Sequence, residues 1–407
     1  MSLGLYVHIP FCIKKCKYCD FISYCNKQNY FDKYISCVLK EAQQYNGQEI
    51  DTVFLGGGTP SILNSSQLAT LISGLRKIFD FSANTEFTIE ANPKTLDFEK
   101  LSVLKLHGVN RISIGVQSFN DDELLKIGRI HNSQIAYNTV NMVKEAGFDN
   151  FNIDIMLNLP GQTKQSLENT LKTCIDLSPT HLSCYSLILE EGTPLYYEYE
   201  RGIYTEPDDE YDRELYHFTN AFLKANGYNR YEISNFSKNG YECRHNLKYW
   251  NCDEYIGLGI SAHSYQDGKR FYNTSDLFEY LSEDFSPVEV LNLSYADKIS
   301  EYMIMRLRLL EGIFCDDFFK RFGKRIEEIY PKQLEKLTKN KLLINSDGYY
   351  RLSDYGIDIS NTVLCEFVWI CTNFLYIVFI LWTICKNGFK ILKNTWHLCL
   401  KVVFYIC

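Results

Sequence analysis

The stretch PFCIKKCKYCDF, residues 10–21, places three cysteines among lysines directly after a short apolar run: Cys12, Cys16 and Cys19. The thiolate is the form of cysteine that binds metals, and nearby cations favour it. Three thiols this close together therefore indicate a metal centre.

This spacing fits a 4Fe–4S cluster better than a structural zinc site. A structural zinc site needs four ligands, and in this region only Cys25 or His8 could be the fourth. A 4Fe–4S cluster normally takes four cysteines, so three would leave one iron open to another ligand. Three unrelated buried cysteines are the remaining interpretation. A disulfide is disfavoured because residues 1–10 lack the pattern of a signal peptide.

Around the cysteines, β-rich runs alternate with helical patterns up to about residue 190. The six runs are LGLYVHIPF (3–11), DTVFLGG (51–57), EFTIEANP (86–93), RISIGVQS (111–118), FNIDIMLNLP (151–160) and HLSCYSLIL (181–189). Strict βα repetition predicts a parallel sheet with right-handed crossovers, either open and doubly wound or curled into a barrel.

In both arrangements ligands bind at the carboxyl ends of the strands. The cysteine loop follows the first run, and GGGTPS (56–61) follows the second. The glycines allow the backbone to approach a carboxylate or phosphate closely. Four polar residues come from or just beyond later strands: Glu90, Gln117, Arg129 and Asp154. Together they predict a polar ring around one small molecule that carries amine, carboxylate and ribose hydroxyl groups.

The rest of the chain divides into three predicted segments. Residues 191–295 are irregular and are expected to cover the barrel mouth, and residues 296–367 are expected to form a small helical domain with a wing-like hairpin. Residues 368–407 form an apolar tail that contains a charge-free run long enough to cross a bilayer. Lysines follow this run, so the positive-inside tendency would place the large domain outside the cytoplasm. Three interpretations of the tail remain open: a membrane anchor, a buried terminal helix, and a segment that does not belong to the domain.

Within residues 191–295, the motif HNLKYW (245–250) sets His245 beside Tyr249 and Trp250. A neutral imidazole can ligate haem iron while the aromatic rings stack on the porphyrin. The alternative is a hydrogen-bonded core histidine, which is the usual role of a lone histidine in an aromatic segment.

Composition limits the class of protein. The chain of 407 residues is long enough for one large domain and smaller ones, and its 15 cysteines fit a reducing compartment, so a cytoplasmic location is expected, with membrane association as the alternative. A formal net charge of −8 gives no general footprint for nucleic acid.

The motifs together resemble those of the HemW family, radical S-adenosylmethionine (SAM) proteins related to the oxygen-independent coproporphyrinogen III oxidase HemN. The matching stretches are YVHIPFCIKKCKYCDF, LGGGTPS, IEANP, SIGVQSFND, GRIHN, NIDIMLNLPGQT, LILEEGTPL and RHNLKYW. The resemblance covers about residues 3–368. It implies a partial (β/α)6 TIM-like barrel with an α+β C-terminal extension and a small winged-helix-like domain.

The resemblance also implies roles for individual residues. The ligands of a 4Fe–4S cluster would be Cys12, Cys16 and Cys19, with SAM completing the open iron. Positions that contact this SAM are matched by Tyr6, Gly57 and Glu90, and Tyr18 would shield the cluster. Positions that hold a second SAM in HemN relatives are matched by Gly58, Thr59, Gln117, Arg129 and Asp154.

Two functions follow from the resemblance. One is a haem chaperone that delivers haem to respiratory acceptor proteins, with His245 as a haem contact and an electron donor as a further partner. The other is decarboxylation of coproporphyrinogen III. HemN-type chains have a longer N-terminal region and a further cysteine two positions after the third, where this chain has Phe21. The chaperone function is therefore favoured, and peripheral membrane contact and catalytic cleavage of SAM are left open.

Overall fold

The computed structural model describes residues 2–205 and 208–368. The apolar tail predicted from residue 368 onward lies outside the described residues, apart from Val368. Within the described ranges, no helix is both long enough and apolar enough to cross a bilayer.

Six parallel strands, each followed by helical structure, form the first half of the chain and confirm the predicted βα repetition. The strands are β1 (Leu3–Ile9), β2 (Glu49–Gly57), β3 (Asp80–Ala91), β4 (Arg111–Gln117), β5 (Phe151–Leu157) and β6 (His181–Ser186). The helices are α1 (Phe31–Ala42), α2 (Ser65–Ile78), α3 (Phe98–Leu106), α4 (Asp121–Lys126), α5 (Ser133–Glu145) and α6 (Lys164–Leu177). Short 3₁₀ helices lie at Gln28–Tyr30, Gln43–Tyr45, Pro60–Ile62 and Pro93–Thr95.

Side chains alternate along the strands of this curled sheet, so that apolar ones face the helices and polar ones face the interior. In β1, Leu5, Val7 and Ile9 are fully buried in the layer between strands and helices. Tyr6 and His8 point the opposite way, into the barrel. The strands follow one another in the order β1 to β6 without β6 pairing to β1, so the barrel is partial.

Helices α2 and α6 each begin at a residue whose side chain caps a free N–H group of the first turn. The side chain of Asn64 accepts a hydrogen bond from the Gln67 N–H at the start of α2, and the Gln67 side chain accepts one from the Asn64 N–H. Thr163 and Ser166 form the same reciprocal cap on α6. These caps satisfy N–H groups that have no partner inside a helix.

The extension continues the sheet on both sides of the six strands. It comprises α7 (Pro194–Glu200), α8 (Asp209–Ala225), β7 (Asn229–Arg230), β8 (Asn235–Ser237), α9 (Arg244–Trp250), β9 (Tyr255–Leu258), β10 (His263–Gln266), β11 (Lys269–Tyr272), α10 (Leu277–Leu281) and β12 (Glu289–Asn292). Strand β9 pairs in parallel with β1, and β8 pairs antiparallel with β6. The resulting sheet has 12 strands in the order β12-β11-β10-β9-β1-β2-β3-β4-β5-β6-β8-β7.

A small C-terminal unit packs against the extension. It comprises α11 (Tyr295–Arg306), β13 (Ile313–Phe314), α12 (Cys315–Phe322), α13 (Ile326–Ile329), α14 (Pro331–Lys339), β14 (Leu343–Ser346), β15 (Tyr349–Leu352), α15 (Asp354–Asp358) and α16 (Ser360–Cys365). Strands β14 and β15 form the predicted hairpin, and its turn residues Asp347 and Gly348 have φ angles of 55° and 80°. Two positive φ angles favour an Asp-Gly pair in such a turn.

Candidate functional site

The carboxyl ends of the first five strands surround one hollow, as the sequence predicts. Tyr6, Glu90 and Asp154 reach into it from β1, β3 and β5. Each lies deep within the barrel but keeps partial access to solvent. Buried polar side chains that solvent can still reach make this hollow suitable for a small molecule.

The GGG stretch at the end of β2 is required by close packing against β1 and the start of the cysteine loop. Gly57 has a φ of 109°, and a Cβ at this position would lie 2.6 Å from the imidazole Cε1 of His8. A Cβ on Gly58 would lie 2.8 Å from the backbone oxygen of Phe11. The Gly58 N–H also donates to the Ile9 carbonyl at 2.9 Å. Residues with side chains would therefore push apart the start of the cysteine loop and the end of β2.

Two carboxyl groups share the centre of the hollow. The Glu90 carboxylate accepts a hydrogen bond from the Gly57 N–H at 3.1 Å. Burial raises the pKa of Glu90 to about 8, and repulsion from Asp154 adds to this shift. Burial also raises the pKa of Asp154, although the Asn152 side chain donates to its Oδ1 at 2.6 Å. A ligand that brings a positive charge between the two carboxylates would relieve this repulsion.

Backbone hydrogen bonds fix the cysteine loop over the hollow. The Cys12 N–H donates to the Tyr24 carbonyl at 3.0 Å, and the Lys17 N–H donates to the Ile127 carbonyl at 3.0 Å. The Lys17 carbonyl accepts from the N–H of Leu195 in α7 at 2.9 Å. The loop is thus attached both to the barrel and to the first part of the extension.

The three cysteine thiols lie close enough to affect one another. Burial raises the pKa of Cys12, and negative charge on Cys16 adds to the shift. Burial raises the pKa of Cys19 to about 12, again with Cys16 as a contributor. The Cys12 Sγ lies 3.6 Å from the Thr59 Oγ1, and the Arg129 Nη1 donates to the Cys16 Sγ at 3.3 Å.

This donor set fits an iron–sulfur cluster. Coordination deprotonates a thiol, so cluster irons would stabilise the three crowded thiolates. Each cysteine in such a cluster binds a different iron, so the ligands need not converge on one point. Among residues 2–205 and 208–368, no three His, Cys, Asp or Glu side chains form a site for a single metal ion.

The far wall of the hollow is built from β4 and β6. Gln117 ends β4 with a φ of 74°, a backbone conformation that residues other than glycine rarely adopt. Its Oε1 accepts from the Tyr185 hydroxyl at 3.2 Å. Arg129 also donates to the Gly115 carbonyl, and its Nε has no hydrogen-bond partner among the described residues. Strained backbone and an unpaired buried donor are typical of a site that binds a ligand.

A residue that the sequence suggested only as a zinc ligand organises this site. The Nε2 of His8 lies 3.0 Å from the Ile22 carbonyl, and its Nδ1 lies 3.0 Å from the Tyr6 hydroxyl. Because a carbonyl can only accept, Nε2 carries the proton and Nδ1 accepts from Tyr6. His8 thereby ties the end of the cysteine loop to β1. His8 comes two residues after Tyr6 in β1, so both side chains lie on the same face of the strand. This period of two is the sequence signal for the inward position of His8.

His245 lies towards the amino ends of the strands, where the ring of Phe54 stands between it and Tyr6. Its Nδ1 is 2.9 Å from the Thr52 Oγ1, its Nε2 is 2.8 Å from the Tyr249 hydroxyl, and its ring stacks on Phe54. Its side chain is buried, with 1% of its surface exposed. Both ring nitrogens have side-chain partners in this structure, as the core-histidine alternative expects, and the haem contact by His245 stays a prediction.

Helix α9, which carries His245, is held by a carboxylate from another element. Glu86 of β3 accepts from the N–H groups of Arg244 and His245, each at 3.0 Å. A carboxylate at a helix N-terminus satisfies free N–H groups and complements the helix dipole. The extension therefore covers the mouth with its first part, near α7, and closes the opposite end with HNLKYW. That residues 191–295 as a whole cover the mouth stays a prediction.

Two family models match the chain. One, described as the Radical SAM superfamily, matches residues 6–174, and the other, described as the HemN C-terminal domain, matches residues 293–359. The first range contains the cysteine loop and every predicted residue of the hollow. The second contains most of the small C-terminal unit.

Curated relatives are similar over nearly their whole length. The heme chaperone HemW of Lactococcus lactis is 37% identical, over 91% of this chain and 98% of its own. Those of Bacillus subtilis and Escherichia coli are 36% and 35% identical, each over 89% of this chain and over 98% and 97% of their own.

A solved structure shares the architecture. Coproporphyrinogen III oxidase (HemN) from Escherichia coli, described as a radical SAM enzyme, aligns with a TM-score of 0.79 and 25% identity. The alignment covers 90% of each chain.

Proposed function

The chain belongs to the HemW family of radical SAM proteins, and we propose that it is a haem chaperone that binds haem and passes it to haem-dependent acceptor proteins. The observation that carries this proposal is similarity over 97% or more of the length of three heme chaperones. The acceptors would include respiratory proteins, and an electron donor would be a further partner.

We propose which residues of the hollow hold the two family cofactors. Cys12, Cys16 and Cys19 would bind a 4Fe–4S cluster, with Tyr18 beside them. Tyr6, Gly57 and Glu90 would bind the SAM at the cluster. When bound, the cluster and SAM would supply one-electron radical chemistry.

The chain's own residues would prepare this site. The carboxylates of Glu90 and Asp154 would offer hydrogen-bond acceptors to a cationic ligand, and the Gly57 N–H donates to Glu90 and so helps to hold its carboxylate in place. His8 orients the Tyr6 hydroxyl. A second SAM would lie towards Gly58, Thr59, Gln117, Arg129 and Asp154. Release of 5′-deoxyadenosine on incubation with SAM and a reductant would show that SAM is cleaved, and its absence would indicate that SAM stabilises the fold.

Coproporphyrinogen III oxidation is the second candidate function, because HemN has the same overall architecture at a TM-score of 0.79. The identity of 25% to HemN is lower than the identity of 35–37% to the three heme chaperones. Phe21 is also 56% exposed at the position where HemN-type chains carry a further cysteine. We therefore place haem binding before porphyrinogen oxidation.

An anaerobic experiment separates the two functions. The reconstituted protein is titrated with haem while haem absorbance is followed, and separately incubated with coproporphyrinogen III, SAM and a reductant. Stoichiometric haem uptake without protoporphyrinogen formation is expected. Turnover to protoporphyrinogen would establish the oxidase instead, and absence of both would reject both functions.

A further inference from the structure

Each of the three sulfurs of the cysteine loop has a hydrogen-bond partner. The Thr59 hydroxyl lies 3.6 Å from the Cys12 Sγ, and the Arg129 Nη1 donates to the Cys16 Sγ at 3.3 Å. A backbone group bonds the Cys19 sulfur. Hydrogen bonds to the sulfurs are among the features that set the reduction potential of an iron–sulfur cluster. These contacts therefore bear on the redox properties of the cluster that the loop would hold.

Arg129 differs from the other partners in its charge. A guanidinium stays protonated in proteins, and a charge-assisted hydrogen bond is roughly twice as strong as a neutral one. Its other contact is to the Gly115 carbonyl, which is neutral, and it forms no ion pair in the part of the chain that the structure describes. Burial raises the pKa of the adjacent Tyr18, which is therefore neutral, and Asp154 interacts with Arg129 only from beyond ion-pair distance. The positive charge directed at Cys16 is thus not cancelled.

The lysines of the cysteine loop contribute less charge to the site. The Lys17 Nζ is paired with the Glu198 carboxylate at 2.7 Å, which offsets its charge. Lys14 and Lys15 are exposed, and dissolved ions screen exposed charges more than buried ones. Arg129 is therefore the cation with the strongest hold on a sulfur of the loop.

Two glycines give Arg129 its place between β4 and the loop. Gly128 has a φ of 76°, and a Cβ at this position would lie 3.1 Å from the Lys17 Cγ. The Ile127 carbonyl accepts from the Lys17 N–H at 3.0 Å, so the segment before Arg129 is attached directly to the loop. On the other side, a Cβ on Gly115 would lie 3.4 Å from the Arg129 Nη2. The guanidinium is thus fixed by its surroundings and does not reach Cys16 by chance.

We propose that Arg129 is a positioning residue for the iron–sulfur cluster and raises its reduction potential by donating a charged hydrogen bond to the Cys16 sulfur. Reduction transfers one electron from an external reductant and adds one negative charge, so a cation held at a sulfur stabilises the reduced form. No bond forms or breaks at Arg129. The inference rests on the cluster site proposed above and specifies the residue that sets its potential. The Arg129 Nε, which has no partner among the described residues, would stay available to a second ligand.

The test is a reductive titration of the full-length reconstituted protein with titanium(III) citrate, followed by the EPR signal of the reduced cluster. Arg129→Gln removes the charge and is expected to shift the one-electron equilibrium towards the oxidised form about tenfold, which lowers the potential by about 59 mV. Arg129→Lys keeps the charge but cannot bond Cys16 and Gly115 together as the guanidinium does. Its potential is expected to lie between those of wild type and Arg129→Gln. Cluster absorbance and far-UV circular dichroism check loading and folding.

Arg76→Gln is the matched control. The Arg76 Nε donates to the backbone carbonyl of His107 at 2.7 Å, and its side chain lies on the exposed surface of α2. The variant therefore removes the same charge and a bond to a carbonyl, but no bond to a sulfur. It is expected to keep the wild-type potential.

The outcomes separate the inference from the cluster site on which it rests. Loaded Arg129→Gln and Arg129→Lys proteins with the wild-type potential would overturn the inference alone. If Arg129→Gln loads no cluster, Arg129→Lys decides, since a lowered potential supports the inference and a wild-type potential overturns it. Failure of both to load, while Arg76→Gln loads, would make Arg129 a structural residue and overturn its effect on the potential. A wild type that binds no cluster would overturn the cluster site as well.

Discussion

At the scale of single residues, the shape of the hollow depends on the absence of a side chain at Gly57. His8 occupies the space that a Cβ at Gly57 would need, 2.6 Å from its Cε1 and Nδ1 atoms. The same imidazole links Tyr6 to the cysteine loop. A change at Gly57 therefore acts through His8 on both the cysteine loop and Tyr6.

We expect Gly57→Ala to lower the free energy of unfolding by roughly 2 kcal/mol more than Gly47→Ala. Gly47 has a similarly positive φ of 78°, but no atom lies within 4 Å of the position that its Cβ would occupy, so it controls for backbone strain alone. Chemical denaturation and cluster absorbance after reconstitution are the measurements. Equal stability and equal cluster loading in the two variants would contradict the steric role of His8.

His245 is expected to stabilise the fold. Replacing it with Ala removes two buried hydrogen bonds and leaves a cavity beside Phe54, which should cost about 3 kcal/mol of unfolding free energy. His107→Ala is the control, since His107 is only partly buried and one of its ring nitrogens bonds Ser73. Denaturant unfolding measures both. A His245→Ala protein of wild-type stability that lost haem absorbance would support the ligand role predicted from the sequence.

The sequence predicts which side chains lie together at the strand ends but not which side chains surround His245, for one physical reason. Residues such as Gly57 and Glu90 follow strand ends, and parallel strands bring such ends together whatever the details of packing. His245 instead bonds Thr52, which is 193 positions away in the chain. Helical and strand periods describe neighbours along the chain and contain no information on such a pairing.

At the scale of elements, a buried carboxylate joins α1 to the extension. The Glu41 side chain accepts hydrogen bonds from the Gly259 N–H at 2.9 Å, from the Asn273 Nδ2 at 2.6 Å and from the Tyr280 hydroxyl. Its surface is 3% exposed. Alternating sequence patterns predict α1 itself, but not that its glutamate would be covered by β9 and α10.

This carboxylate makes stability depend on pH. Burial raises the pKa of Glu41 to about 7 from its usual 4.5, so the folded protein holds this proton more tightly than the unfolded chain does. Its contribution is present below about pH 4.5 and is lost as pH rises through about 7. Between pH 4.5 and 8, the stability of Glu41→Gln relative to wild type should rise by roughly 3 kcal/mol. Urea unfolding at several pH values measures this.

The exposed Glu145→Gln variant controls for the loss of one negative charge. A stability difference between Glu41→Gln and wild type that stays constant across this pH range would argue that Glu41 is ionised in the folded protein at every pH tested.

At the scale of the whole molecule, the described fold ends by packing its last aromatic residue into the core. Phe367 is fully buried, its ring centroid lies 5.2 Å from that of Tyr330, and its carbonyl accepts from the Tyr330 hydroxyl at 3.2 Å. The core elements of the barrel, the extension and the C-terminal unit all precede it.

A chain shortened to end at Val368 is expected to unfold at the same denaturant concentration as the full chain and to load the same cluster. A chain that ends at Glu366 lacks Phe367 and should lose about 3 kcal/mol of unfolding free energy. Cell fractionation of the full chain and the chain ending at Val368 tests the apolar tail. Equal membrane association of the two would rule out the tail as an anchor.

The pairing of β1 with both β2 and β9 has a consequence for biosynthesis. The strand that leads into the cysteine loop leaves the ribosome well before its neighbour Tyr255–Leu258, which lies about 250 residues further along the chain. Until then, one edge of β1 has no strand beside it, and α7, which bonds Lys17, is also still to come for most of that time. The nascent chain thus completes the frame of the cysteine loop only once the extension has been made, so insertion of iron and sulfide is expected to follow synthesis of the extension.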